Sequence, residues 1–321
     1  MQMTDGKVRC CVGEPGDRNK SSAASAACVV VPSPTPIARR WSRAIGGPFT
    51  MGSDDGRFAE DGEGPAREVT LSPFAIACHA VSNRDFADFV RATGYTTEAE
   101  RYGWSYVFAD FVPDNFQHAI GSRSRETPWW IPTPHAYWAQ PEGPYSNVLD
   151  RLDHPVVHVA WSDAAAYCAW SGTRLPTEAE WECAARGGLD GMIFPWGNDL
   201  TPDGEHRCNI WQGAFPASNS CEDGYAGTAP VHAFPPNGYG LHNMVGNVWE
   251  WCADFFSPAY HRATAAHDPA ELNDTGRRAL RGGSYLCHES YCNRYRVAAR
   301  SSNTPDSSAG NIGFRVARAA S

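Results

Sequence analysis

Apolar residues recur at helical spacing in three places along the chain. Phe86, Phe89 and Val90 fall on one face of a segment that Ser82 or Asn83 can cap and Gly94 can stop. A second helix is expected from a cap at Ser162 through Trp170, ended by Gly172. The third follows Pro176, where Thr177 and Glu180 have capping-box spacing, and stops at Gly187-Gly188. Short apolar, β-branched runs predict strands at Val69-Leu71, Val156-Val159, Tyr295-Ala298 and Phe314-Ala317. Turn formers fill most of the remainder, which reads as loop.

Composition sharpens this picture. Thirty glycines and 24 prolines in 321 residues leave little room for long regular elements. Residues 1–45 are rich in Ser, Ala, Pro and charge and end near Pro32-Ser-Pro34-Thr-Pro36, so they are expected to be a disordered tail. Cys10, Cys11 and Cys28 fall in that tail and are poor site candidates. Residues 46–321 show no internal repeat and no second linker, and are expected to form one compact domain. No run of 18 apolar residues occurs, which argues against a membrane span. Ala23 to Val31 resembles a signal-peptide core only weakly, because serines dilute it, and a cytoplasmic location is expected. A formal charge of −9 argues against a nucleic-acid partner, since phosphates need a basic surface. A monomer is the expected state.

Chemistry concentrates in Arg281-Gly-Gly-Ser-Tyr-Leu-Cys287-His-Glu-Ser-Tyr-Cys292, two cysteines five residues apart behind a glycine pair and a serine. The spacing alone fits a disulfide, two unrelated buried thiols, or a soft metal ion; structural zinc would want four ligands. Oxygen-rich stretches around Asn209, Asp223, Asn243 and Glu250 fit either a hard ion such as Ca²⁺ or simple turn chemistry. His154 and His158 would lie roughly 13 Å apart on an extended segment and are expected to be structural. Gly238-Tyr-Gly240 reads as a turn, and Ser284 has no recognisable His and acid partners for a serine hydrolase.

From Gly282 through Arg300, continued by Asn303-Thr-Pro-Asp-Ser-Ser308 and Gly313-Phe-Arg315, the chain resembles the catalytic segment of formylglycine-generating enzymes, the sulfatase-modifying factor family. Blocks such as Arg174-Leu-Pro-Thr-Glu-Ala-Glu-Trp181, Asn209-Ile-Trp-Gln-Gly213 and Gly246-Asn-Val-Trp-Glu-Trp251 extend the resemblance in order from about Gly46 to Arg318. It implies an α+β fold, a single compact domain related to C-type lectins and low in regular secondary structure. The implied function is a copper-dependent oxidase that uses O2 and a thiol reductant to convert the cysteine of a Cys-x-Pro-x-Arg motif in an unfolded or nascent sulfatase to formylglycine. By matched position, the resemblance assigns Cys287 and Cys292 to Cu(I), facing one cavity open to peptide, with Ser284, Trp249 and Tyr291 beside them. Trp129 and Asn311 match peptide-groove positions. Asn209, Ile210, Asp223 and Tyr225 match one calcium site, and Asn243, Gly246, Val248 and Glu250 a second.

The chain departs from some relatives. Val297 and Val316 stand where disulfide partners are found, so Cys168 is expected to be a buried thiol, and Ala80 and Trp104 stand where certain relatives carry acids that meet the substrate arginine. Two other readings remain: a noncatalytic binding module in which Cys287 and Cys292 form a disulfide, and an iron-dependent sulfoxide synthase. The latter needs a helical domain with an iron-binding histidine cluster, which the first 45 residues lack.

Overall fold

A computed structural model describes residues 40–113 and 127–320; the expected tail lies outside the described residues as far as 39. The folded unit starts before the expected boundary at Gly46. Cys78 N–H donates to Arg40 O and Ser42 N–H to Ile76 O, both at 2.9 Å, and Trp41 lies under the Arg318 guanidinium.

Strand β1 (Ile45–Met51) pairs antiparallel with β2 (Arg67–Ile76), which contains the expected Val69-Leu71 strand. Helix α1 (Asn83–Thr93) follows, capped as expected: Ser82 Oγ accepts from Asp85 N, and Asp85 accepts from Ser82 N. Phe86 and Phe89 face the core, and Gly94 ends the helix in the left-handed region. A short helix α2 (Glu98–Tyr102), too brief for a visible period, leads into the hairpin β3 (Trp104–Phe108) and β4 (Trp130–Pro134).

Helix α3 (Trp161–Ser171) begins before the expected cap. Asp163 reaches back to the N–H of Ala160 at 2.8 Å, so Ala160 is the cap residue and Ser162 sits inside the first turn. Helix α4 (Glu178–Arg186) keeps the expected Thr177–Glu180 box and is buried along its whole length. A small hairpin joins β5 (Gly213–Ala214) to β6 (Ser218–Asn219). After β7 (Trp249–Phe255) and the single turn α5 (Tyr260–Ala263) come β8 (Arg278–Arg281), β9 (Arg300–Asn303), β10 (Ile312–Gly313) and β11 (Ala317–Ala319). The larger sheets have the orders β1-β2-β11 and β10-β7-β8-β9, the β10-β7 pair being parallel.

Three expected strands are corrected. Val156-Val159 is irregular, because His158 has φ 59° and the backbone bonds single partners at Val81 and Ala309. Tyr295-Ala298 is turn, held by Arg296 Nε on Asn293 O, and the strand begins at Arg300. Phe314-Ala317 is mostly the crossing between the two larger sheets: Phe314 and Val316 carbonyls accept from Val81 and Ala77, and pairing resumes at Ala317. His154 and His158 bond Thr228 and Ser105, and Gly240 N–H closes a turn onto Asn237 O, as expected. No helix among the described residues is long and apolar enough to cross a membrane.

Candidate active site around Cys287 and Cys292

Strand β8 ends at Arg281, and Gly282 and Gly283 follow at φ 95° and 75°. A Cβ on Gly283 would lie 3.0 Å from the carbonyl of Arg294, so glycine lets the chain leaving β8 rest directly on the 294–295 backbone. Two turns then bring the thiols together. Cys287 N–H closes the first onto Ser284 O at 2.9 Å, and His288 O accepts from Tyr291, Cys292 and Asn293 in the second. The Sγ atoms of Cys287 and Cys292 end 2.8 Å apart, both as thiols, farther than the about 2.05 Å of a disulfide. Ser284 N–H points at Cys287 Sγ (3.4 Å), and Ser284 Oγ accepts from Asn311 Nδ2 at 3.0 Å. Asn311 O in turn accepts from Trp249 N at 2.8 Å. Ser284, Trp249 and Asn311, far apart in sequence, thus form one bonded group beside the thiols.

Tyr291 stacks on Phe215 with centroids 4.6 Å apart, and Trp129 meets both rings edge-on at 4.7 and 5.1 Å. The expected opening to a peptide is corrected: Cys287 and Cys292 each have 0% exposure, packed in the main hydrophobic core with these rings against it. Trp249 is equally buried, and its indole N–H has no partner among the described residues. Phe215 was not legible as a site residue, because a single aromatic in Gly-Ala-Phe-Pro carries no periodic signal. It hangs on a hairpin of two residue pairs whose tip is otherwise exposed. Phe215→Ala is therefore expected to speed alkylation of Cys292 several-fold relative to Cys208, a fully buried thiol pushed up by burial. Equal rates in peptide-mapped alkylation of variant and parent would show that Phe215 does not guard the pair.

The first oxygen set assembles. Asp223 accepts from the N–H groups of Ile210 (3.0 Å), Gln212 (2.9 Å) and Tyr225 (2.9 Å), and Ile210 O faces the same Gln212 amide. Burial pushes the Asp223 carboxyl up against those donors. Asn209 Oδ1 is buried with no hydrogen-bond partner among the described residues, the kind of orphaned acceptor that a hard ion satisfies. The second set does not fit. Asn243 Oδ1 also lacks a partner among the described residues, but the Glu250 carboxylate is taken by Arg315 (2.7 and 2.8 Å) and the Trp181 indole (2.7 Å). A calcium ion there would stand against a buried guanidinium. Gly246 N–H bonds Gly282 O, and a Cβ on Gly246 would lie 2.4 Å from Asn209 O, while Val248 is buried beside it. Asn247, missed in the sequence, joins these loop segments by bonding Ala229, Asn209 and Tyr285.

The family profile for the sulfatase-modifying factor enzyme 1-like domain matches residues 30–320. The chain belongs to the formylglycine-generating-enzyme family. It is 60% identical over 292 residues to the formylglycine-generating enzyme of Thermomonospora curvata, covering 89% of this chain and 95% of that one. It is also 50% identical over 280 residues to an inactive Cα-formylglycine-generating enzyme 2 of Bos taurus, covering 86% of each. Among solved structures, PvdO from Pseudomonas aeruginosa aligns with a TM-score of 0.63 at 27% identity, over 85% of this chain and 92% of that one. The single family domain, mixing helix and sheet with long loops, is the α+β architecture expected for formylglycine-generating enzymes.

Proposed function

We propose that this formylglycine-generating-enzyme homologue is a copper-dependent oxidase acting on the cysteine of a Cys-x-Pro-x-Arg segment in an unfolded or nascent sulfatase. The observation that carries the reading is the pair of thiols in contact beside Ser284 and Asn311. The inactive bovine relative shares half of its aligned sequence with this chain, so identity alone does not decide activity. The donor set fits a soft monovalent ion: two sulfurs lie together, and among the described residues no cluster of three or more His, Cys, Asp or Glu is placed to hold a metal. When bound by Cys287 and Cys292, Cu(I) supplies a soft site for a substrate thiolate and for O2.

The chain's own residues supply position and exclusion of water. Ser284 N–H is aimed at Cys287 Sγ and holds that sulfur at the mouth of the first turn. Asn311 fixes the Ser284 hydroxyl at the place where oxygen would be activated. Trp129 and Tyr291 would offer aromatic surface to an extended peptide, and because both sulfurs are buried the peptide would reach them only as the surrounding core opens. The reaction balances as one substrate cysteine, one O2, two electrons and two protons giving one formylglycine, one hydrogen sulfide and one water. A thiol reductant supplies those two electrons. A cytoplasmic monomer fits the eight thiols of the described residues.

The test is incubation with a Cys-x-Pro-x-Arg peptide, copper, O2 and a thiol, followed by mass spectrometry. Conversion supports the reading; an unaltered peptide at verified copper loading favours a binding module. Calcium at the first oxygen set is expected to raise the unfolding temperature by a few degrees, and Asp223→Ala to abolish that rise. A calcium response that survives in the variant would place the ion elsewhere.

A further inference from the structure

The loop between β1 and β2 reaches across the molecule to the far limb of the thiol turn. Ser53 N–H closes the loop's neck onto Glu63 O, and Phe58, Asp61 and Glu63 all meet the 292–296 stretch. Arg294 is buried at 2% exposure and is held from three sides. Its Nε donates to Asp61 Oδ2 at 2.6 Å, its Nη1 to the carbonyl of Cys292 at 3.3 Å, and its plane lies 3.9 Å over Phe58. A guanidinium is a rigid fork, so anchoring one edge fixes where the other points. The amide of Cys292 is already tied to His288 O at 2.8 Å. Both backbone groups of Cys292 are thereby set, and with them the origin of its Cβ–Sγ bond.

We propose that Asp61, 233 positions upstream of Arg294, is a positioning residue for the thiol pair, holding the second sulfur against the first through that guanidinium. The inference rests on the same two thiols as the proposed activity, but its consequence is measurable without copper or substrate. The loop has other moorings on this stretch. Arg296 grips Glu63 at 2.9 and 2.7 Å, and Arg57 donates to Asn293 Oδ1 at 3.0 Å. Losing the Asp61 carboxylate should therefore loosen Cys292 without undocking the loop.

The experiment equilibrates the copper-free full chain with reduced and oxidised glutathione. Oxidised glutathione takes the two electrons as the Cys287–Cys292 bond forms, and two reduced glutathiones leave with the thiol protons. The ratio is read by alkylation and peptide mapping. Asp61→Ala is expected to lower the equilibrium constant for ring closure about tenfold, a change of about 30 mV, in a chain that stays folded although its unfolding midpoint falls, because the buried Arg294 guanidinium loses its carboxylate. Asp61→Glu should restore it. Asp54→Ala, which removes the acceptor for Ala66 N–H in the same loop, should leave it as in the parent. A folded Asp61→Ala chain with the parental constant overturns the proposal, as does an equal fall in Asp54→Ala. Should Asp61→Ala fail to fold, Arg294→Lys decides: lysine keeps the charge but lacks the fork, so its constant should also fall, and a parental value overturns the proposal. Failure of peptide conversion would count against the oxidase and leave this measurement standing.

Discussion

Cys287→Ser and Cys292→Ser are each expected to lose tight Cu(I) uptake and to cut peptide conversion by more than about a hundredfold, since even outer partners of metal ligands cost 10- to 100-fold. Serine is nearly isosteric with cysteine, so it leaves the turn around Ser284 and His288 in place while exchanging a soft donor for a hard one. Each variant retains one thiol of the pair, and one sulfur cannot reproduce a two-sulfur grip. Competition with a Cu(I) chelator reads the first effect, and mass spectrometry of the peptide the second. Parental copper affinity in both variants would rule out this pair as the metal site and leave the module reading in its place. The fold should survive, because the two turns are closed by the carbonyls of Ser284 and His288, which neither substitution touches.

Glu182→Gln is expected to destabilise the fold by about 3–5 kcal/mol, because it strips the charge from a carboxylate buried between two guanidiniums. Glu182 bonds Arg186, Arg281 and the N–H of Gly52, and Glu182 and Arg281 are fully buried. For a chain of this size the midpoint should drop by roughly 5–8 °C. Arg281 leads into the glycine pair, so the same change should also loosen the thiol turn.

The pH dependence follows from the same site. Burial opposes the ionised carboxyl of Glu182, yet Arg186 and Arg281 outweigh it and hold the group down at about 2, from an ordinary 4.5. Because the folded value is depressed, the contribution is complete above about 4.5 and is lost as pH falls from there through about 2. Asp163 and Asp254 run the other way. Burial lifts both to about 7, so their stabilising share is full below an ordinary 3.8 and is lost as pH rises through about 7. Glu182→Gln should flatten the acid limb of a stability profile below about pH 4.5. An unchanged midpoint together with an unchanged acid limb would show that Arg281 and Arg186 are satisfied without it.

Local chemistry made much of the fold readable. The Ser82 and Thr177 caps, the stops at Gly94, Gly172 and Gly187, and the aromatic face of α1 are set within a few residues of each other, where backbone donors must find nearby acceptors. The resemblance placed the thiol pair, Ser284 and the family, all carried by short contiguous motifs. Tertiary structure decided the rest. Whether Val156-Val159 is a strand depends on where its backbone meets Val81 and Ala309, more than 70 residues away in one direction and 150 in the other. Glu250 suits a calcium ligand by type, but Arg315 and Trp181 claim it only once the chain is folded. The burial of the sulfurs in the main core, the packing of Phe215 with Tyr291 and Trp129, and the hold of Asp61 on Arg294 join segments that share no local pattern. A sequence records which groups are available and what their neighbours in the chain require. Burial, ion pairing and access are properties of the space between distant segments, so folding alone fixes them.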